Sequence, residues 1–117
     1  MKNIEMDEEK CVAFAFDGVI RKMDGTINKE VADLIRALSR KGYAIIVFTT
    51  EALTLEGRRN TVNFLTRNCL IEDIASISAS KPLARCYVDS RALTFNGTCE
   101  GLQERIEAFH GRNGNVD

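Results

Sequence analysis

Two uninterrupted apolar runs, Cys11 to Phe16 and Tyr43 to Phe48, dominate the first half of the chain, and between them the hydrophobic pattern takes a helical period. Runs that are apolar throughout, rather than alternating, read as strands buried on both faces of a parallel sheet. Residues 11–16 and 43–48 are therefore predicted strands. Between them Val31, Leu34, Ile35 and Leu38 recur at i, i+3, i+4 and i+7 behind a capping residue, Asn28, and Gly42 stands where such a helix would stop. This is a β-α-β unit. A weaker third run, 74–77, and a fourth, 83–88, ending at Asp89, predict two further strands. Leu55, Val62, Leu65 and Phe64 form a second helical stripe interspersed with Arg58, Arg59 and Arg67, and Gly57 leaves its start open. Leu102, Ile106 and Phe109 predict a C-terminal helix ahead of a fraying tail, 111–117. Alternation of strands and helices predicts an α/β fold: a three-layer, Rossmann-like parallel sheet with helices on both faces.

Length and charge narrow the picture. A chain of 117 residues suits one domain with one core, preceded by a polar lead over 1–10. The formal net charge of -1 gives no global field favouring nucleic acid or an anionic membrane. Cys11, Cys69, Cys86 and Cys99 form no C-x-x-C pair and His110 is the single histidine, so a zinc site has little to build on. Reduced thiols in a cytosolic protein are the expectation. The acidic start does not read as a signal peptide, and no apolar run approaches the ~20 residues of a membrane span. A cytoplasmic protein is expected.

Candidate chemistry gathers where strands end. Asp17 and Gly18 follow the first strand directly, at the carboxyl edge where open α/β sheets bind ligands. Taken alone, Asp-Gly is also common turn punctuation, the reading preferred for Asp24-Gly25. Thr49 and Thr50 follow the second strand. A hydroxyl there suits phosphate oxygens, and it equally suits capping of the next helix. Lys81 precedes Pro82 and the fourth strand, and Asp89 ends that strand.

In this order, Ala15-Phe16-Asp17-Gly18, Thr49, Lys81-Pro82-Leu83-Ala84 and Tyr87-Val88-Asp89-Ser90-Arg91-Ala92 resemble the motifs of the haloacid dehalogenase-like phosphohydrolases, in particular a small subgroup of them. The stretch from Gly57 to Asn68 also looks like this subgroup, so the resemblance covers roughly residues 10 to 100. It implies a Mg²⁺-dependent phosphomonoesterase working through an aspartyl phosphate. The position of the nucleophile is Ala15, Asp17 is the acid and base with a main-chain carbonyl on the metal, and Thr49, Thr50, Gly18 and Lys81 hold the phosphate. Asp89 is the implied metal ligand. Only Arg21 to Ile27 separates the first strand end from the first helix, which leaves no room for a cap domain. By resemblance, a capless core implies an open site for macromolecular or terminal phosphates.

The departures matter as much. Ala15 removes both the nucleophile and a metal-binding carboxylate, and Ser90 stands where many relatives carry a second Asp. A hard cation needs oxygen ligands and charge, so Mg²⁺ affinity is expected to fall. An alanine methyl cannot form the covalent intermediate, and loss of such a group costs about 10⁴ or more in rate. The chain is therefore expected to be inactive as it stands. Ala15 fits either an Asp→Ala change that silences a phosphatase, which the retained Asp17, Thr49, Lys81 and Asp89 favour, or a natural phosphate-binding pseudoenzyme, which Ser90 favours. Arg58, Arg59 and Arg67 suit a phosphate-reading surface or, more simply, a solvated helix face. Processing of nucleic-acid ends is a weaker reading, against which near-neutral charge counts. His110 carries no expected role.

Overall fold

A computed structural model describes residues 10–82 and 84–88 of the chain. The elements run β1 (Cys11–Ala15), α1 (Lys29–Arg40), β2 (Ala44–Phe48), α2 (Leu55–Arg67), β3 (Ser76–Ser78) and β4 (Cys86–Val88). All pairings are parallel and the spatial order is β3-β2-β1-β4. The chain thus steps outward from β1 to β3 and then crosses back to the other side of β1. The crevice at the carboxyl ends of β1 and β4 is the point where the strand order reverses.

The strands end slightly differently from the apolar runs. Tyr43 stays outside β2 because its N–H closes the end of α1 on the Leu38 carbonyl, at 3.1 Å. Phe16 leaves the ladder after a bond to the Phe48 carbonyl and turns into a loop. The third strand falls at 76–78 rather than 74–77, since the Ile74 N–H is used by a 3-10 turn, Ile71–Asp73, just before it. The fourth is confined to Cys86–Val88, because the Ala84 N–H goes to the Tyr87 hydroxyl.

Side chains alternate across the sheet, and the register sorts them into two faces. Val12, Phe14, Ile45, Val47, Cys86 and Val88 share one face with Val31, Ile35 and Leu38 of α1 and Phe64 and Leu65 of α2. Both described helices therefore cover the same face. Cys11, Ala13, Ala44 and Ile46 form a second, smaller cluster on the other face, together with Phe48, Ala75, Ala84 and Tyr87. The predicted C-terminal helix of Leu102, Ile106 and Phe109, and the tail, lie outside the described residues.

Helix boundaries follow local chemistry. Asn28 caps α1, accepting from Glu30 and Val31 N–H groups, and Gly42 takes φ +95° beyond its end. Thr54 caps α2 by accepting from the Gly57 N–H at 3.0 Å. Gly57, which blurred the start of α2 in the sequence, is a packing requirement: a Cβ there would lie 2.0 Å from the Glu51 carbonyl oxygen. Backbone meets backbone, so neither side can yield cheaply. Among the described residues no helix is long and apolar enough to cross a membrane.

Cys11 and Cys86 are buried, while Cys69 is exposed at φ 59°. Cys86 shares its face with Val12, so Cys11 lies on the opposite side of the sheet and the two cannot form an intrastrand-pair disulfide. Burial pushes the Cys86 thiol up to about 11. Because that value lies above the ordinary thiol range, the unfolded chain ionises first; the associated stability is intact below about 9 and is lost as pH rises toward 11.

Two outcomes are expected from this fold. Gly57→Ala should lower stability by about 1–3 kcal/mol in urea unfolding, although alanine is the better helix former by about 1 kcal/mol. A neutral or stabilised variant would show that the Glu51 turn and α2 do not approach as described. In native protein at pH 8, an alkylating reagent followed by peptide mapping should modify Cys69 well before Cys11 or Cys86, and in denaturant the three should react alike.

Candidate functional site at the carboxyl ends of the strands

The loop after β1 is shaped before any ligand is considered. Gly18 takes φ +83° and donates its N–H to the Arg21 carbonyl at 2.8 Å, which folds the chain back so that Arg21 lies beside Asp17. Arg21 is thereby drawn over the ring of Phe16, 4.7 Å from its centroid. Asp24 and Gly25 form the tight turn expected of them. Asp24 accepts from the N–H and hydroxyl of Thr26, bonds that hold its carboxyl below the usual range.

After β2, Thr49 is buried and fully engaged. Its N–H donates to the Ser78 carbonyl, and its hydroxyl accepts from the Glu51 N–H at 3.2 Å while donating to Asp17 Oδ2 at 3.0 Å. The capping reading of this residue holds, since it caps the 3-10 turn Thr50–Leu53, and its hydroxyl also reaches Asp17, two residues beyond the end of β1. Arg21 donates to Asp17 Oδ1 at 2.5 Å and pairs with Glu51. Burial works against the Arg21 charge, but hydrogen bonds and charge from Glu51 and Asp17 outweigh it and hold the guanidinium above its ordinary value. The four side chains make one connected network across two strand ends.

Lys81 reaches the same sheet edge by another route. Its ammonium lies 5.9 Å from the ring centroid of Phe48, the register partner of Ala15, and 4.9 Å from that of Tyr87. Tyr87 also fastens the lysine loop, donating its hydroxyl to the Pro82 carbonyl at 2.6 Å and accepting from the Ala84 N–H at 3.1 Å. One tyrosine thus supplies the platform under the ammonium and the latch that holds its loop.

Of the sequence candidates, Ala15, Asp17, Thr49 and Lys81 arrive at neighbouring strand ends. Gly18 serves the loop, its N–H being taken by Arg21, so it offers no free main-chain donor to a phosphate. Thr50 is exposed and lines an open cavity of about 630 Å³ beside the network, which also borders Arg21, Glu51 and Arg67; Arg58 and Arg59 are not on its wall. Asp89 and Ser90 lie outside the described residues. The sequence reading passed over Arg21, Glu51 and Tyr87. A signal existed for the first two, since each stands within four residues of a strand-end candidate and carries the charge needed to pair with the other.

Among the described residues the donor set is poor for Mg²⁺. Ala15 brings no side-chain oxygen, the carboxylates of Asp17 and Glu51 are both turned to Arg21, and among the described residues no group of three possible ligands is assembled. Comparison of the chain with protein-family models, curated proteins and solved structures finds no match in any of the three.

Thr49→Val keeps the volume and removes the hydroxyl that joins the two strand ends. It should cost about 1–2 kcal/mol in urea unfolding, with Val12, Phe14 and Val47 still protected in hydrogen exchange. An unchanged midpoint would mean the network contributes nothing to stability.

Proposed function

We propose that the chain is a haloacid dehalogenase-like phosphomonoesterase domain in nucleophile-less form, which receives a phosphomonoester at the strand ends without hydrolysing it. One observation carries the reading: Asp17 and Thr49, 32 residues apart, meet through a 3.0 Å hydrogen bond at the carboxyl ends of adjacent parallel strands, beside Ala15. The Lys81 loop, brought to the same edge by Tyr87, supports it. So does the strand order, which reverses at β1. The finer architecture belongs to the same proposal: a three-layer, capless core. Cys11, Ala13, Ala44 and Ile46 are all buried on the face that neither described helix covers, which supports a third layer.

In the proposed chemistry a carboxylate at position 15 attacks phosphorus as the bond to the leaving oxygen breaks, and Asp17 gives that oxygen a proton. Water then cleaves the aspartyl phosphate after losing a proton to Asp17. With Ala15 the first bond cannot form. What remains is binding: the Lys81 ammonium suits phosphate oxygens as a cation, and the Thr49 hydroxyl and Arg21 would serve them on release from Asp17.

A second reading has its own support. Arg21 pairs with both Asp17 and Glu51, and with Lys81 at the same edge the described site is balanced in charge, which suits a module that binds phosphate with little need of Mg²⁺. Two measurements separate the readings. Ala15→Asp, assayed with p-nitrophenyl phosphate with and without Mg²⁺, is expected to gain metal-dependent turnover of about 10⁴ over the Ala15 protein. Isothermal titration of the Ala15 protein with inorganic phosphate is expected to show saturable binding that Lys81→Ala weakens. Binding with a silent Ala15→Asp variant would establish the module instead, and silence in both experiments would reject the phosphate site altogether.

A further inference from the structure

The open cavity beside the strand ends is walled by one stripe of α2. Glu56, Asn60, Asn63 and Arg67 recur at i, i+4, i+7 and i+11, so they share one side of the helix, and Arg21, Thr50, Glu51 and Thr54 are among the residues that continue the wall. Among the described residues, the side chains of Glu56, Asn60 and Asn63 take no hydrogen bond, and Arg67 makes only a ring contact, 6.0 Å from the Phe64 centroid. The stripe is therefore available to a ligand. Its two arginines and two glutamates cancel, and each amide offers donors and an acceptor on one planar group.

From this composition we propose that the cavity binds the neutral, polyhydroxylated part of a phosphomonoester, a sugar or sugar-like alcohol, whose phosphate lies at the strand ends. The inference rests on the phosphate site proposed above. Arg21 and Glu51 are common to the strand-end network and to the cavity wall, so the two regions are contiguous through these two side chains. A hydroxyl both donates and accepts, and vicinal hydroxyls match alternating carboxylate, amide and guanidinium groups. An anionic leaving group would face Glu51 and Glu56. An apolar one would strip water from Asn60 and Asn63 and return no hydrogen bond. A volume of about 630 Å³ is ample for a monosaccharide and lies in the ordinary range of small-molecule sites.

The test is titration of the Ala15 protein, followed by amide NMR, with inorganic phosphate, glucose, glucose 6-phosphate and phenyl phosphate. Glucose 6-phosphate should bind at least about tenfold more tightly than inorganic phosphate and shift the Asn60 and Asn63 signals. The double variant Asn60→Ala, Asn63→Ala should lose that gain while its affinity for inorganic phosphate is unchanged. Both positions are exposed and alanine favours a helix, so the variant's amide spectrum should stay dispersed. Equal affinities for phosphate and glucose 6-phosphate, a gain that survives the double variant, or phenyl phosphate binding as tightly as the sugar phosphate would each overturn the proposal while leaving the phosphate site standing. Glucose shifting the two asparagines with no response to phosphate would keep the cavity and remove the phosphate site. No binding of any probe would remove both.

Discussion

β1 lies between two parallel neighbours, and the rest of the architecture depends on that position. Its side chains face packed residues on both sides of the sheet, and its backbone is paired along both edges. No polar side chain is carried from Cys11 to Phe16, because none could be satisfied there. Polarity is admitted only where the strand stops, so Asp17 falls at the carboxyl edge. The same constraint acts on β2, which is apolar to Phe48 and then yields Thr49. Two polar residues far apart in sequence meet because two neighbouring parallel strands become polar at the same level.

The network at that edge is held by charge as much as by backbone. Asp17, Glu51 and Arg21 are only partly shielded from water, so each pair by itself would contribute little. Their connection matters more: Thr49 fixes Asp17, Arg21 joins Asp17 to Glu51, and Phe16 supports Arg21 from beneath. Removing Arg21 would leave the Glu51 carboxylate without its partner and Asp17 with Thr49 alone. Gly57 belongs to the same arrangement, since it lets α2 approach the turn that carries Glu51.

Much of this was legible in the sequence, and the boundary of legibility has a physical form. Continuous apolar runs gave β1 and β2 to within a residue, and helical spacing with Asn28 gave α1. The strands 74–77 and 83–88 were harder, because turns and the Tyr87 hydroxyl compete there for the backbone N–H groups that a strand would use. Asp17, Thr49 and Lys81 were readable as strand-end residues. Arg21 was readable only as a charge near Asp17, because its place beside that carboxylate depends on the reversal at Gly18, a backbone conformation that an Asp-Gly pair permits but does not specify. Tyr87 stands in the strand-end motif of the sequence, but only the fold shows why, its hydroxyl latching the Lys81 loop and its ring lying beside the ammonium.

Ala15 gains meaning from the charges around it. Among the described residues at this edge, Asp17 and Glu51 are matched by Arg21 and Lys81, so the balance is neutral with an uncharged side chain at position 15. A carboxylate there would add a third negative charge close to Asp17, and like charges at such range raise one another's pKa and repel a phosphate dianion. Holding both together would require a further positive charge or the release of Arg21 from Asp17. Under the proposed function, alanine at 15 and the Arg21 bridge are therefore two parts of one state: the bridge can close because nothing at position 15 competes for compensating charge. A site with a carboxylate restored would have to gain a further cation or open that bridge before it could take up phosphate.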